Sequence, residues 1–220
     1  LKVSLVSSSQ PSAELAAQGI LNAQELVAFC ARVSNPGNQT NTDTSEKLIR
    51  YLIKHQHWSP LEMVSACLEI ETTRDIARQI LRHRSFSFQE FSQRYAVADL
   101  GIEYKEARLQ DTKNRQNSIE IEDPALSSAW QLKQQRVVET TQEVYNWAIR
   151  SGIAKEQARA VLPEGITTSR LYMQGTLRSW LHYIELRSGP ETQKEHREIA
   201  QACAVALELI FPMVTEFLVN

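Results

Sequence analysis

The densest run of potentially reactive side chains is Arg82-His83-Arg84-Ser85-Phe86-Ser87-Phe88-Gln89-Glu90-Phe91-Ser92-Gln93-Arg94-Tyr95. Arg74, Arg78 and Arg82 lie four apart, so on a helix they form one cationic stripe with Gln79 beside it. Like charges at that spacing repel. An anionic ligand with several oxygens would relieve the repulsion through charge-assisted hydrogen bonds. Ser85, Ser87, Gln89, Glu90 and Ser92 then offer hydroxyl, amide and carboxylate partners suited to a phosphate, a ribose and a base edge. The competing reading is a solvated basic helix followed by a polar loop.

Three further clusters invite chemistry. His55-Gln56-His57-Trp58-Ser59-Pro60-Leu61-Glu62 pairs His-x-His with a glutamate, but no second ligand group at helical histidine spacing lies nearby. A polar helix end lining a pocket fits this segment better than a metal site. Arg159 precedes Val161-Leu162-Pro163, a position usually left to the surface. In residues 175–187, Arg178, His182 and Glu185 share one helical face, whereas Arg187 falls on the opposite flank of the apolar stripe. If both arginines bind ligands, they serve different ligands or sites, which anticipates an oligomer with composite pockets.

Other chemistries find little support. Cys30, Cys67 and Cys203 each sit in an apolar helical or strand pattern, away in sequence from any histidine, so buried thiols fit better than a nucleophile. Three scattered cysteines form neither a disulfide framework nor a zinc cluster, and a reducing cytoplasm is the expected setting. No G-x-G-x-x-G and no Walker lysine occurs, so any dinucleotide phosphates must be held by arginines and hydroxyls. Net charge is −2, which leaves polyanion binding to local arginine clusters. No apolar run is long enough to cross a bilayer, and the start of the chain reads as a strand rather than a signal peptide.

The elements that must position these residues follow from periodicity. At 220 residues and 42% apolar content, one core is expected. Strands are expected over 2–6, 63–70, 101–108 and 166–173. Val64, Ala66, Leu68 and Ile70 should share one face of the second. Helices are expected over 23–33, from Asp43 or Thr44 to near His57, over 74–84, from Ser127 or Ser128 to Arg150, over 154–161, from Leu177 to near Ser188, and around 199–210. The long helix carries Trp130, Val137, Val138, Thr141, Val144, Tyr145 and Ala148 as its inner stripe. Residues 111–123 read as a loop. The fold class is α+β, a single domain over residues 1–220 with a central, mostly antiparallel sheet flanked by long helices.

At the Arg82 segment the sequence resembles the flavin-dependent thymidylate synthases. The family signature is Arg-His-Arg, seven residues, then Ser, here Arg82-His83-Arg84 and Ser92. Ser87, Glu90, Arg94 and Tyr95 extend the resemblance, as do Ala31-Arg32-Val33-Ser34, residues 57–62, residues 159–163, and Leu177-Arg178-Ser179 through Leu186-Arg187. The blocks occur in family order and leave mainly residues 100–150 without a sharp match.

The resemblance implies a homotetramer binding FAD between subunits, with NADPH as reductant, 5,10-methylenetetrahydrofolate as carbon donor and dUMP as acceptor. By position it assigns His57, Ser59, Glu62, Arg82, His83, Arg84, Ser87, Gln89, Glu90, Thr176, Arg178 and His182 to FAD. It assigns Gln79, Arg82, Glu90, Ser92, Arg94, Arg159 and Arg187 to dUMP. Arg187 is implied to act catalytically, polarising the uracil without an enzyme nucleophile. Gln89, Thr176 and His182 stand where asparagine is common in the family, and the Ser188-Gly189-Pro190-Glu191 turn differs from several relatives. Gln193 and His196, beyond that turn, read either as ligand contacts or as a solvated helix start. Two rivals stay open: a relative transferring a different one-carbon group to a pyrimidine nucleotide, and a nucleic-acid-binding module using the Arg74 to Arg94 region. The resemblance itself implies neither nucleic acid nor membrane as a partner.

Overall fold

The computed structural model describes residues 1–95 and 101–219. In chain order, the first elements are β1 (Lys2–Ser8), α1 (Ala13–Ala17), α2 (Ala23–Ala31), α3 (Ser45–Lys54), β2 (Ser65–Thr73), α4 (Arg74–Ile80) and β3 (Ser87–Glu90). They are followed by β4 (Arg108–Gln110), β5 (Ser118–Glu120), α5 (Pro124–Arg150), α6 (Lys155–Ala158), β6 (Thr168–Thr176), α7 (Leu177–Arg187) and α8 (Lys194–Glu208). Short 3₁₀ turns occupy Ser59–Glu62 and Arg159–Val161.

The main sheet has strand order β1-β2-β6-β3, and every pairing is antiparallel. Alternation explains its two faces. Val64, just before β2, and the β2 residues Ala66, Leu68 and Ile70 are buried, as expected, together with Leu171 and Met173 of β6. Glu69, Arg170 and Tyr172 point away from that core. The core closes with Trp180, Leu181 and Ile184 of α7 and Ile199, Cys203 and Leu207 of α8. Trp180 donates its Nε1–H to the Ala66 carbonyl at 3.1 Å, which satisfies the indole inside the core.

The central pair decides where the chemistry goes. Each of β2 and β6 runs straight into a helix, α4 and α7 respectively. Antiparallel register places Thr73 opposite Thr168 and Ser65 opposite Thr176, so the two helices leave from opposite ends of the pair. Thr176 caps α7 by accepting from the Ser179 N–H at 3.3 Å. At Gly175, a Cβ would come within 2.4 Å of the Phe86 ring. Only glycine lets that ring seat against Trp180, 4.8 Å away between centroids, and this contact anchors the start of β3.

Several expectations need correction. The helix expected over 74–84 stops at Ile80, so Arg82 and Arg84 lie in the turn beyond it and no three-arginine helical stripe forms. Residues 87–90 form edge strand β3 rather than loop. The strand expected over 101–108 reduces to a single bridge, Ile102 with Thr167, and pairing resumes only in the β4–β5 hairpin, part of which falls in the expected loop. Helix α5 does stand where expected, but Trp130 and Val137 are 43% and 50% exposed and Val144 is also exposed. Only Gln134, Val138, Tyr145 and Ala148 are buried on it. Its apolar partners are local, with Tyr145 and Ala148 packing on Ala158 in a small second cluster. The expected inner stripe is therefore corrected: of its residues only Val138, Tyr145 and Ala148 are buried, and within one chain the sheet does not cover the rest. The flanking of the sheet by long helices holds for α7 and α8.

Candidate functional site

The family-assigned residues gather in three places on one chain. The first lies where α4, α7 and α8 meet. Arg187 ends α7 and donates from Nε to Nε2 of His83 at 3.0 Å. His83 stands edge-on to Tyr183, with ring centroids 4.9 Å apart. Burial and the Arg187 charge push the His83 pKa down to about 4, so near neutrality the ring is an uncharged acceptor. Among the described residues no carboxylate lies in ion-pair range of Arg187. Its guanidinium is thus half-buried, oriented and uncompensated.

Gln79 belongs to the same place. Its Nε2 donates to Gln193 Oε1 at 2.8 Å, and its Oε1 lies 3.2 Å from His196 Nδ1. His196 is fully buried, which removes both earlier readings of it as a ligand contact or a solvated helix start. Burial, then Arg187 and His83, push its pKa down to about 3. Tyr183, Glu195 and this role of His196 were missed from the sequence. The one local signal was the i, i+4 spacing of Tyr183 and Arg187, which puts both on one face of α7.

The second place is the end of β3. Glu90 accepts from Ser169 Oγ at 2.8 Å and lies 3.6 Å from the Arg74 guanidinium. Ser92 accepts from the Arg94 N–H at 3.4 Å, and Arg94 pairs with Glu156 on α6 at 3.3 Å. Arg159 follows directly, half-buried in the 3₁₀ turn after α6. The repulsion between Arg74 and Arg78 is relieved by protein rather than ligand. Glu164 bridges them, 3.1 Å from Arg74 and 3.4 Å from Arg78, and the two guanidinium groups hold its carboxyl below the usual range against the opposing effect of burial. Arg74 is consequently a buried structural cation.

The third place is the start of α7. Arg178 forms an ion pair with Glu62 of the 3₁₀ turn. His182 stacks edge-on to Trp58 with centroids 4.4 Å apart, and burial, then Arg178, lower its pKa. His57 and Ser59 are exposed beside them in sequence, and Thr176 is the helix cap already described. The buried Nε of Arg178 has no hydrogen-bond partner among the described residues. Ser87 and Gln89 project exposed from β3, and Arg82 and Arg84 are exposed in the preceding turn. A dinucleotide cofactor needs cations for its phosphates and polar edges for its ring system. The exposed arginines, the unsatisfied Arg178 donor and the serine, histidine and amide groups fit that need. The block at residues 31–34 is different: Arg32 is buried and ties down the loop before α3 through the Asn41 carbonyl and, at 2.8 Å, Thr44 Oγ1. No group of three or more histidine, cysteine or acidic residues among the described residues is placed to hold a metal ion. No helix there is long and apolar enough to cross a membrane.

Comparison with known proteins identifies the family. Residues 17–213 match the sequence model of the family described as thymidylate synthase complementing protein. The chain is 44% identical over 218 residues to a probable flavin-dependent thymidylate synthase of Paramecium bursaria Chlorella virus 1, covering 99% of each chain. It is 50% identical over 196 residues to a flavin-dependent thymidylate synthase of Synechocystis sp., covering 88% of each. In structure it resembles the UMP/dUMP methylase PolB of Streptomyces cacaoi bound with 5-Br dUMP, with a TM-score of 0.82 at 27% identity over 98% of this chain and 93% of that one. The chain therefore belongs to the family of flavin-dependent thymidylate synthases.

Proposed function

We propose that this chain reductively methylates dUMP to dTMP in the cytoplasm, with 5,10-methylenetetrahydrofolate as carbon donor and NADPH as reductant, as a homotetramer with composite sites. The observation that carries the reading is Arg187, a half-buried guanidinium held by a neutral imidazole with no carboxylate nearby among the described residues. In the overall change, the C5 proton of the uracil leaves, the methylene carbon takes its place, and a hydride from NADPH reduces it to methyl while tetrahydrofolate departs. Negative charge gathers on a uracil carbonyl oxygen in the enolate-like forms of the ring, before C5 attacks and again as its proton leaves. An oriented, uncompensated cation stabilises that charge most strongly in a water-poor site.

The remaining residues divide by chemistry. Arg82, Arg94, Arg159 and Ser92 supply donors for a phosphate, while Gln79 and Glu90 supply amide and carboxylate groups for the base and ribose. His57, Ser59, Glu62, Arg84, Ser87, Gln89, Thr176, Arg178 and His182 would hold FAD, with His83 beside them. FAD, when bound, supplies the hydride-carrying redox chemistry. A thiol nucleophile is not required: Cys203 is fully buried and burial pushes its thiol far up, while Cys30 and Cys67 are also raised by burial. The three separated clusters on a single chain support assembly, because facing copies can complete one pocket from different clusters.

Purified protein should carry, or take up, a flavin whose absorption band bleaches anaerobically with NADPH, and it should form dTMP from dUMP and the folate. Failure to bind FAD at micromolar concentration would overturn the reading. A second acceptor, UMP, merits the same assay because a structural relative at 26% identity is a UMP/dUMP methylase bound with 5-Br UMP. Comparable turnover on UMP would widen the assignment.

A further inference from the structure

We infer that Glu195, Gln193 and His196 are positioning residues that fix which way the Gln79 carboxamide points. The inference rests on the reading above that Gln79 faces the nucleotide. The polarity can be worked out from one end. Glu195 accepts from Arg108, and burial, which raises its pKa, is outweighed by hydrogen bonds from Arg108, from its own backbone and from Gln193, so it is ionised and only accepts. Gln193 must then turn its amide nitrogen to Glu195, which it does at 3.0 Å, leaving its oxygen toward Gln79. Gln79 must donate to that oxygen, at 2.8 Å, so its own Oε1 faces His196. His196 must donate from Nδ1, at 3.2 Å, and its Nε2 is left to accept from the Tyr183 hydroxyl at 3.1 Å.

Every donor in this chain therefore points toward one carboxylate. A glutamine amide in isolation has two nearly isosteric orientations that exchange an acceptor for two donors. Here the choice is made two side chains away, at Glu195, and only a neutral His196 with its proton on Nδ1 is compatible with it. The chain also ties Arg108, in the stretch of sequence lacking a sharp family match, to the nucleotide end of the site. Tyr183 closes the chain and contacts the His83 ring that holds Arg187, so both base-facing residues share one rigid support.

The test uses dUMP binding to the FAD-loaded full-length protein. Asparagine at 196 places its amide nitrogen near the histidine Nδ1 position, whereas glutamine reaches toward Nε2. His196→Asn should bind dUMP within about threefold of wild type, whereas His196→Gln should lose about tenfold, the scale of one buried hydrogen bond left unmade. Glu195→Gln, which lets the polarity invert, should also lose about tenfold, with KM for dUMP rising more than kcat falls. FAD affinity should stay unchanged in all three. Equal dUMP affinity for His196→Asn and His196→Gln, with wild type binding normally, overturns the inference. If either variant fails to fold, wild-type dUMP affinity in folded Glu195→Gln overturns it alone. Wild-type protein that binds no dUMP instead sinks the proposed function itself.

Discussion

The two ends of α7 carry an arginine each, and they differ in every respect that matters for chemistry. Arg178, at the start, spends its charge on Glu62 and, among the described residues, leaves one buried nitrogen without a hydrogen-bond partner. Arg187, at the end, leans on a neutral imidazole and keeps its full charge. The two Cα atoms are roughly 13 Å apart along the axis and face opposite ways. A paired guanidinium is suited to hold and orient a ligand, because its field is largely cancelled. An unpaired one, kept in place by a group that cannot share its charge, is suited to stabilise charge that appears during reaction.

The sharpest way to break this contrast is Arg187→Ala. Turnover should fall about 10²–10³-fold, the cost of one donor to a developing oxyanion, while FAD stays bound. Near wild-type turnover would make the two arginines equivalent. Arg178→Ala should act the other way, weakening FAD about tenfold in a flavin titration, with thermal stability changed by less than about 1 kcal/mol because the ion pair is partly solvated. Loss of dUMP binding with FAD intact in that variant would reverse the assignments of the two ends.

Acid should affect the Arg187 end selectively. His83 and His196 have folded-state pKa values of about 4 and about 3, below the ordinary 6.5. Between these values the unfolded chain binds more protons than the folded one, so stability falls as pH drops from about 6.5 toward 4. Denaturation midpoints at pH 7, 6 and 5 should decline, and His196→Asn should flatten the decline. A flat wild-type profile would show that the imidazoles are not buried neutral. The smallest effect is expected near the Arg178 end. Gln56 closes α3 with a φ of 59°, its N–H bonding the Ile53 carbonyl and the His57 N–H bonding that of Leu52. Glycine favours that left-handed conformation, so Gln56→Gly should raise stability by about 0.5–1 kcal/mol in a melting experiment.

Short-range pattern was sufficient for much of this. The β2 alternation and the opposite placement of Arg178 and Arg187 on α7 follow from period 2 or 3.6 and hold, whereas α8 stops at Glu208, short of 210. What failed did so for long-range reasons. The helix after β2 stops at Ile80 because Phe86 must reach the slot above Gly175, a contact spanning 89 positions of sequence numbering from 86 to 175. The arginine stripe looked self-repelling because Glu164 is remote in sequence and adjacent in space. The exposed face of α5 shows that an apolar stripe read from spacing need not be an inner face within one chain.

From sequence alone came the α+β class and residue types able to meet a phosphate, a ribose and a base edge, which depend on composition and local spacing; resemblance to a known family added the flavin and the uracil. Tertiary structure alone decided which arginines are neutralised, which histidines are forced to stay uncharged and which way an amide faces. Charge state and hydrogen-bond polarity depend on neighbours within a few ångströms, and folding draws those neighbours from all parts of the chain.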